Sequence, residues 1–131
     1  VNGSSATMKR RTFSITDAGR EALQRWLAEP IAQRREMRDE GMLKLFFAEL
    51  TGVEEIEELR RDQELRHRAM IAELEGLHER FGARDDLGYR TDTIRWGLAG
   101  ERALAEFWAK LKVSPAKSRR LRPTRRRSGT G

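Results

Sequence analysis

The chain has 131 residues, 37% of them hydrophobic and 37% charged, with a net charge of +6 and no cysteine. That length supports one domain, or one domain with a tail, and the lack of cysteine excludes a disulfide framework and a thiolate metal site. No apolar run approaches the roughly 20 residues that span a bilayer, and the opening VNGSSATMKRR carries no apolar signal core, so no membrane partner and a reducing cytoplasm are expected.

In chain order, Thr7 to Thr16 places Phe13 and Ile15 on one face and follows the turn residues Gly3, Ser4 and Ser5. This predicts a β-strand led by the cations Lys9, Arg10 and Arg11. Thr16 suits a helix N-cap and Asp17 the positive end of a helix dipole. The first helix then runs to about Ala28, with Ala22, Leu23, Trp26 and Leu27 on its apolar face, and Pro30 stops it. A second helix begins near Met37. Leu43, Phe46, Phe47 and Leu50, widened by Met42 and Leu45, predict burial on most of its sides.

Thr51 to Glu54 reads as a capping box. The helix it opens runs to Phe81, a rod of roughly 45 Å, with Gly82 as its stop. Ile56, Leu59, Gln63, His67, Met70, Leu74, Leu77 and Phe81 form its main stripe, and Leu65, Ala69, Ala72 and Gly76 a second face. Two faces on one long helix imply two partners, the second most simply another copy of the chain. The last helix starts between Asp86 and Thr93 and ends near Lys112. Leu87, Thr91, Ile94, Leu98, Ala105 and Trp108 make one stripe; Gly97, Gly100, Leu104, Phe107 and Leu111 make the other. Glycines inside a helix cost roughly 1 kcal/mol each against alanine, which close approach of another backbone would repay.

Residues 112–131 hold eight cations and no acid, so the body before them nets −2. The positive charge therefore belongs to a tail without periodicity, expected to be disordered and to bind phosphate without sequence preference or simply to solubilise the chain. Little points to chemistry. His67 and His78 lie three turns apart and cannot share a metal. Glu54, Glu55, Glu57 and Glu58 fall where a helix dipole favours acids. No phosphate loop or nucleophile–base set is present; no enzyme activity and no cofactor are expected. Trp26, Trp96 and Trp108 read first as core. Trp26 and Trp96 are the candidates if the helices enclose a small aromatic effector.

The run RRTFSITDAGREALQRWLAEP followed by RDEGMLKLFF resembles the PadR family of bacterial transcriptional regulators. The matching positions are Arg10, Arg11, Phe13, Thr16, Gly19, Leu23, Trp26, Leu27, Pro30, Arg38, Asp39, Glu40, Leu43, Lys44, Phe46 and Phe47. Phe13 stands where Tyr is usual, Ile15 where Leu is, and Gly41 where a bulky apolar residue is. IRWGLAGERALAEFW resembles the family's final helix, which ends on Trp, here Trp108.

The resemblance implies a winged helix-turn-helix before a helical domain that dimerises. Residues 1–30 would then be a remnant of the DNA-binding domain, 31–112 the dimerisation and effector domain, and 113–131 the basic tail. The expected fold class is all-α, preceded by a remnant wing strand, in a regulator whose chain begins inside its own wing. The implied partners are a second copy and DNA, the latter bound specifically only by an intact chain and without sequence preference by this one; a small aromatic effector is suggested by the tryptophans alone. Lys9, Arg10 and Arg11 would hold DNA phosphate. Leu59, Met70, Leu74, Ile94, Leu98 and Trp108 would stand at or beside the dimer interface. The alternative is a helical dimerisation or adaptor module without specific DNA binding.

Overall fold

A computed structural model describes residues 10–117, and within them every regular element is helical. The chain divides into two compact units, Val1–Met37 and Arg38–Gly131.

The first unit holds α1, Asp17–Ala28. The Thr16 hydroxyl accepts from the Gly19 amide at 3.1 Å, the expected N-cap, and Asp17 sits in the first turn. None of the α1 side chains is buried; Leu23, Trp26 and Leu27 are all exposed. The strand expected over Thr7–Thr16 does not form among the described residues. Residues 10–16 have no strand assignment, and Thr7 to Lys9 lie outside the described range. A strand is a ladder of backbone hydrogen bonds to a neighbour, and no described segment supplies one. A short apolar alternation cannot create its own partner.

In the second unit α2 spans Glu40–Phe46, three residues later than expected. Asp39 sets the start, accepting from the Met42 amide at 2.9 Å. A 3₁₀ turn at Ala48–Leu50 follows. The expected burial of this segment on most sides is not seen within one chain. Only Gly41 and Ala48 are buried, and Phe46 is 77% exposed. Gly41 faces α3: a Cβ there would meet the end of the flexible Gln63 side chain, which would have to shift.

The rod is α3, Val53–Phe81. It begins one residue later than the expected capping box implies. Gly52 is the N-cap, with no side-chain cap bond, while the Thr51 hydroxyl donates to the Gly52 carbonyl at 3.2 Å. Gly82 ends α3 as expected, its amide donating to the His78 carbonyl at 2.7 Å, with a right-handed φ of −62°. A Cβ at Gly82 would lie 2.5 Å from that same carbonyl oxygen. Gly82→Ala is therefore expected to destabilise the chain by about 1–3 kcal/mol through overpacking, despite alanine's better helix propensity; thermal unfolding measures it.

After a 3₁₀ turn at Asp85–Leu87, Gly88 takes φ 53° and ψ −135°, a conformation open to glycine and costly for other residues. Here the chain reverses into α4, Arg90–Lys110. The α3–α4 hairpin is the main tertiary contact.

Candidate dimerisation surface

Three contacts fix the register of the hairpin. Arg60 Nη1 donates to the Trp108 carbonyl at 3.4 Å. His67 Nδ1 lies 2.5 Å from Glu101 Oε2. A Cβ on Gly97 would stand 3.2 Å from Leu74 Cδ1. On α3 these positions are 60, 67 and 74, a seven-residue step that keeps one seam facing a neighbouring helix. On α4 they descend through 108, 101 and 97, so the helices run antiparallel. Gly97 thus makes the close approach expected of it, to a leucine side chain rather than to backbone. Gly100 faces open space and has no such role within the chain.

The seam buries Ile56, Leu98, Ala105 and Trp108, the last with no exposed surface at all. Trp108 also packs edge-on against Phe107, ring centres 5.5 Å apart. Its indole Nε1 and the Nε2 of His67 are buried without hydrogen-bond partners.

Arg60 is the electrostatic node. Its guanidinium binds Glu57 at 2.7 Å and Glu64 at 3.1 Å, and reaches a carbonyl in the last turn of α4, where helical carbonyls lack intrahelical partners. Glu64 also binds Arg68 at 2.8 Å. The hydrogen bond from Arg60 holds the Glu57 carboxyl below its ordinary 4.5, against the opposing pull of desolvation. The bond from Arg68, followed by that from Arg60, does the same for Glu64. Both carboxylates have a lower pKa folded than unfolded. Their contribution is complete above about pH 4.5 and is lost as pH falls through the folded values. The stability that these two carboxylates contribute should be level from neutrality to about pH 5 and decline in more acid solution. Arg60→Gln should make that decline shallower, as read in urea titrations across pH.

Outside the seam the hairpin keeps several large apolar side chains in solvent. Among the described residues, Leu65, Met70, Leu77, Trp96 and Phe107 of the hairpin are all exposed, Met70 by 43%. Of the six positions expected at an interface, Met70 offers the most surface. Leu74 and Ile94 are half-buried, and Leu98 and Trp108 are already covered by their own chain. Leu59 is half-buried and lines a groove of about 670 Å³ between α2, the 3₁₀ turn and the first half of α3. The reading of all three tryptophans as core holds for Trp108 alone. Trp26 in the first unit is 65% exposed and Trp96 in the second 68%. Arg10 and Arg11 are exposed in the segment before α1; Lys9 lies outside the described residues. The Arg60 node was not singled out from sequence, although its Glu57 and Glu64 partners at i−3 and i+4 were legible there.

A family model described as "Virulence activator alpha C-term" matches residues 37–111, more than half of the chain. The chain belongs to this family. The virulence activator alpha C-terminal match thus takes in α2, α3 and α4 and begins one residue before the second unit. The chain is also similar to the negative transcriptional regulator PadR of Bacillus subtilis (strain 168), 30% identical over 78 residues. That match covers 58% of this chain and 42% of the relative, so the chain spans less than half the length of this curated protein. No solved structure matches it. Among the described residues no helix is long and apolar enough to cross a membrane.

Proposed function

We propose that this virulence activator alpha C-terminal chain is the dimerising helical part of a PadR-like transcriptional regulator. The observation that carries the reading is the apolar surface left outside the hairpin seam. Leu65, Met70, Leu77, Trp96 and Phe107 of the hairpin all remain exposed. Among the described residues of the second unit no element covers them, and exposed apolar area of this kind marks association surfaces. Two-fold pairing of identical chains is the simplest closed solution.

In this arrangement Met70, with Leu74 and Ile94 beside it, meets the partner copy. Leu98 and Trp108 stiffen the surface from behind, and Leu59 stands at its edge. Lys9, Arg10 and Arg11 contact DNA phosphate, which supplies affinity and position but not sequence choice.

Light scattering at micromolar concentration tests the assembly. The expected mass is twice the 15.2 kDa of one chain. Met70→Glu should shift it towards one chain while leaving the far-ultraviolet circular dichroism unchanged, because Met70 is exposed within its own chain. A wild-type mass near 15.2 kDa overturns the reading.

A further inference from the structure

The groove beside Leu59 has a composition that dimerisation does not explain. Its floor is Ala48 and Ile56, both buried. Leu43, Phe47, Leu50 and Leu59 form apolar walls, and the first three are more than half exposed. A volume of about 670 Å³ is the size of a small-molecule site rather than of a cleft for a helix. One rim of this apolar space is acidic. Glu55, Glu58 and Asp62 follow one another at three- and four-residue steps and share a face of α3 with Leu59.

The helix dipole accounts for an acid in the first turn, where Glu55 sits, but its effect fades beyond that turn. Glu58 and Asp62 lie further along. Asp62 is paired with Arg66 at 2.8 Å. Glu55 and Glu58 are in no ion pair among the described residues, whereas the one cation lining the groove, Lys44, is held by Glu40 at 3.4 Å. The groove therefore joins an apolar interior to uncompensated negative charge at its edge.

We propose that this groove binds a small amphipathic cation, a molecule with an apolar body and an ammonium or guanidinium head. The body replaces water against Leu43, Phe47, Leu50 and Leu59. The head lies at the Glu55 and Glu58 carboxylates, and the Phe47 ring that lines the same groove has a π face that also attracts cations. A second copy of the chain is a poorer occupant. Covering the groove with apolar surface would desolvate carboxylates without pairing them, a cost that buried charges do not recover. An anionic amphiphile would meet the same carboxylates as repulsion.

The test uses the full chain and two ten-carbon probes below their micelle thresholds, decyltrimethylammonium and decanoate, in calorimetric titrations. The cation should bind and decanoate should bind at least tenfold more weakly. Each exposed carboxylate contributes about threefold, so Glu55→Gln with Glu58→Gln should lower cation affinity about tenfold. The same pair of changes should leave decanoate binding equal or improved. Glu73→Gln with Glu79→Gln, acids elsewhere on α3, should change neither, and circular dichroism of each variant checks that the hairpin is folded. Phe47→Ala should weaken the cation as well. Three outcomes overturn the proposal: no binding of the cation, equal binding of both probes, or cation binding that survives the Glu55 and Glu58 changes but is lost in Trp96→Ala. The last would place the ligand at the exposed tryptophan instead. Because the probes report on one groove and light scattering on association, failure here leaves the dimer reading to its own test.

Discussion

Replacing Trp108 by alanine should destabilise the chain by about 3–5 kcal/mol, the largest effect of any single side-chain truncation in the hairpin. Trp108 is the largest fully buried side chain described, and it sits where α4 ends against the first half of α3. Removing the indole opens a void between two helices whose contact is most of the second unit's tertiary structure. The Arg60 bond cannot compensate, because it reaches the backbone carbonyl of residue 108 and survives in any variant. Trp108→Phe separates two contributions. It leaves a smaller void and also deletes an indole N–H that is buried without a partner. An unsatisfied buried donor costs about 1–3 kcal/mol, so its loss offsets part of the cavity, and the phenylalanine variant should cost no more than about 1.5 kcal/mol. Urea unfolding followed by circular dichroism measures both. A tryptophan-to-alanine cost below 1 kcal/mol would show that α4 is not held at this point.

The second large effect is expected in nucleic-acid binding. Residues 113–131 carry seven cations and no acid: Lys117, Arg119, Arg120, Arg122, Arg125, Arg126 and Arg127. Residues 118–131 lie outside the described structure, and their charge alone sets the expected effect. Each phosphate neutralised contributes a slope of about −0.9 in log affinity against log salt. With most of these cations engaged, affinity for duplex DNA should fall about a thousandfold or more between 50 and 200 mM salt. Removing residues 113–131 should flatten that dependence, and replacing Lys9, Arg10 and Arg11 should flatten it less. No duplex should be strongly preferred, since phosphate contacts carry no sequence information. Titration against several unrelated duplexes at two salt concentrations reads slope and preference together. One duplex bound about a thousandfold more tightly than the others would show that this chain reads base edges and would overturn the expectation.

The signals legible in the sequence were local ones. Thr16 and Asp17 begin α1, and Pro30 follows its end at Ala28. An uninterrupted run between Gly52 and Gly82 is α3, and α4 fits the bounds its stripes set. These features depend on each residue's own backbone preferences and on neighbours within a turn, so the sequence contains all the information they need. Even the start of α3 shows the limit of such signals. Thr51 and Glu54 have the spacing of a capping box, yet the helix opens at Gly52 and the box is not made.

Partnership was decided elsewhere. Phe13 and Ile15 have strand chemistry, but a strand needs a second backbone, and none pairs with residues 10–16 in the described structure. Trp26, Trp96 and Trp108 are chemically alike and all lie on helices, yet only Trp108 falls where α3 crosses it. Gly97 and Gly100 stand one turn apart on α4, and only Gly97 meets Leu74. The groove at Leu59 becomes visible only once α2 and its 3₁₀ turn fold back beside α3. In each case the deciding quantity is the register of one helix against another. That register is set by the summed packing of many side chains distant in sequence, and no local pattern encodes it. The sequence by itself determined where the described helices lie and which of their residues are apolar. Only the tertiary structure decided which apolar residues close the hairpin and which remain outside it, because burial is a property of the pair of helices and not of either one.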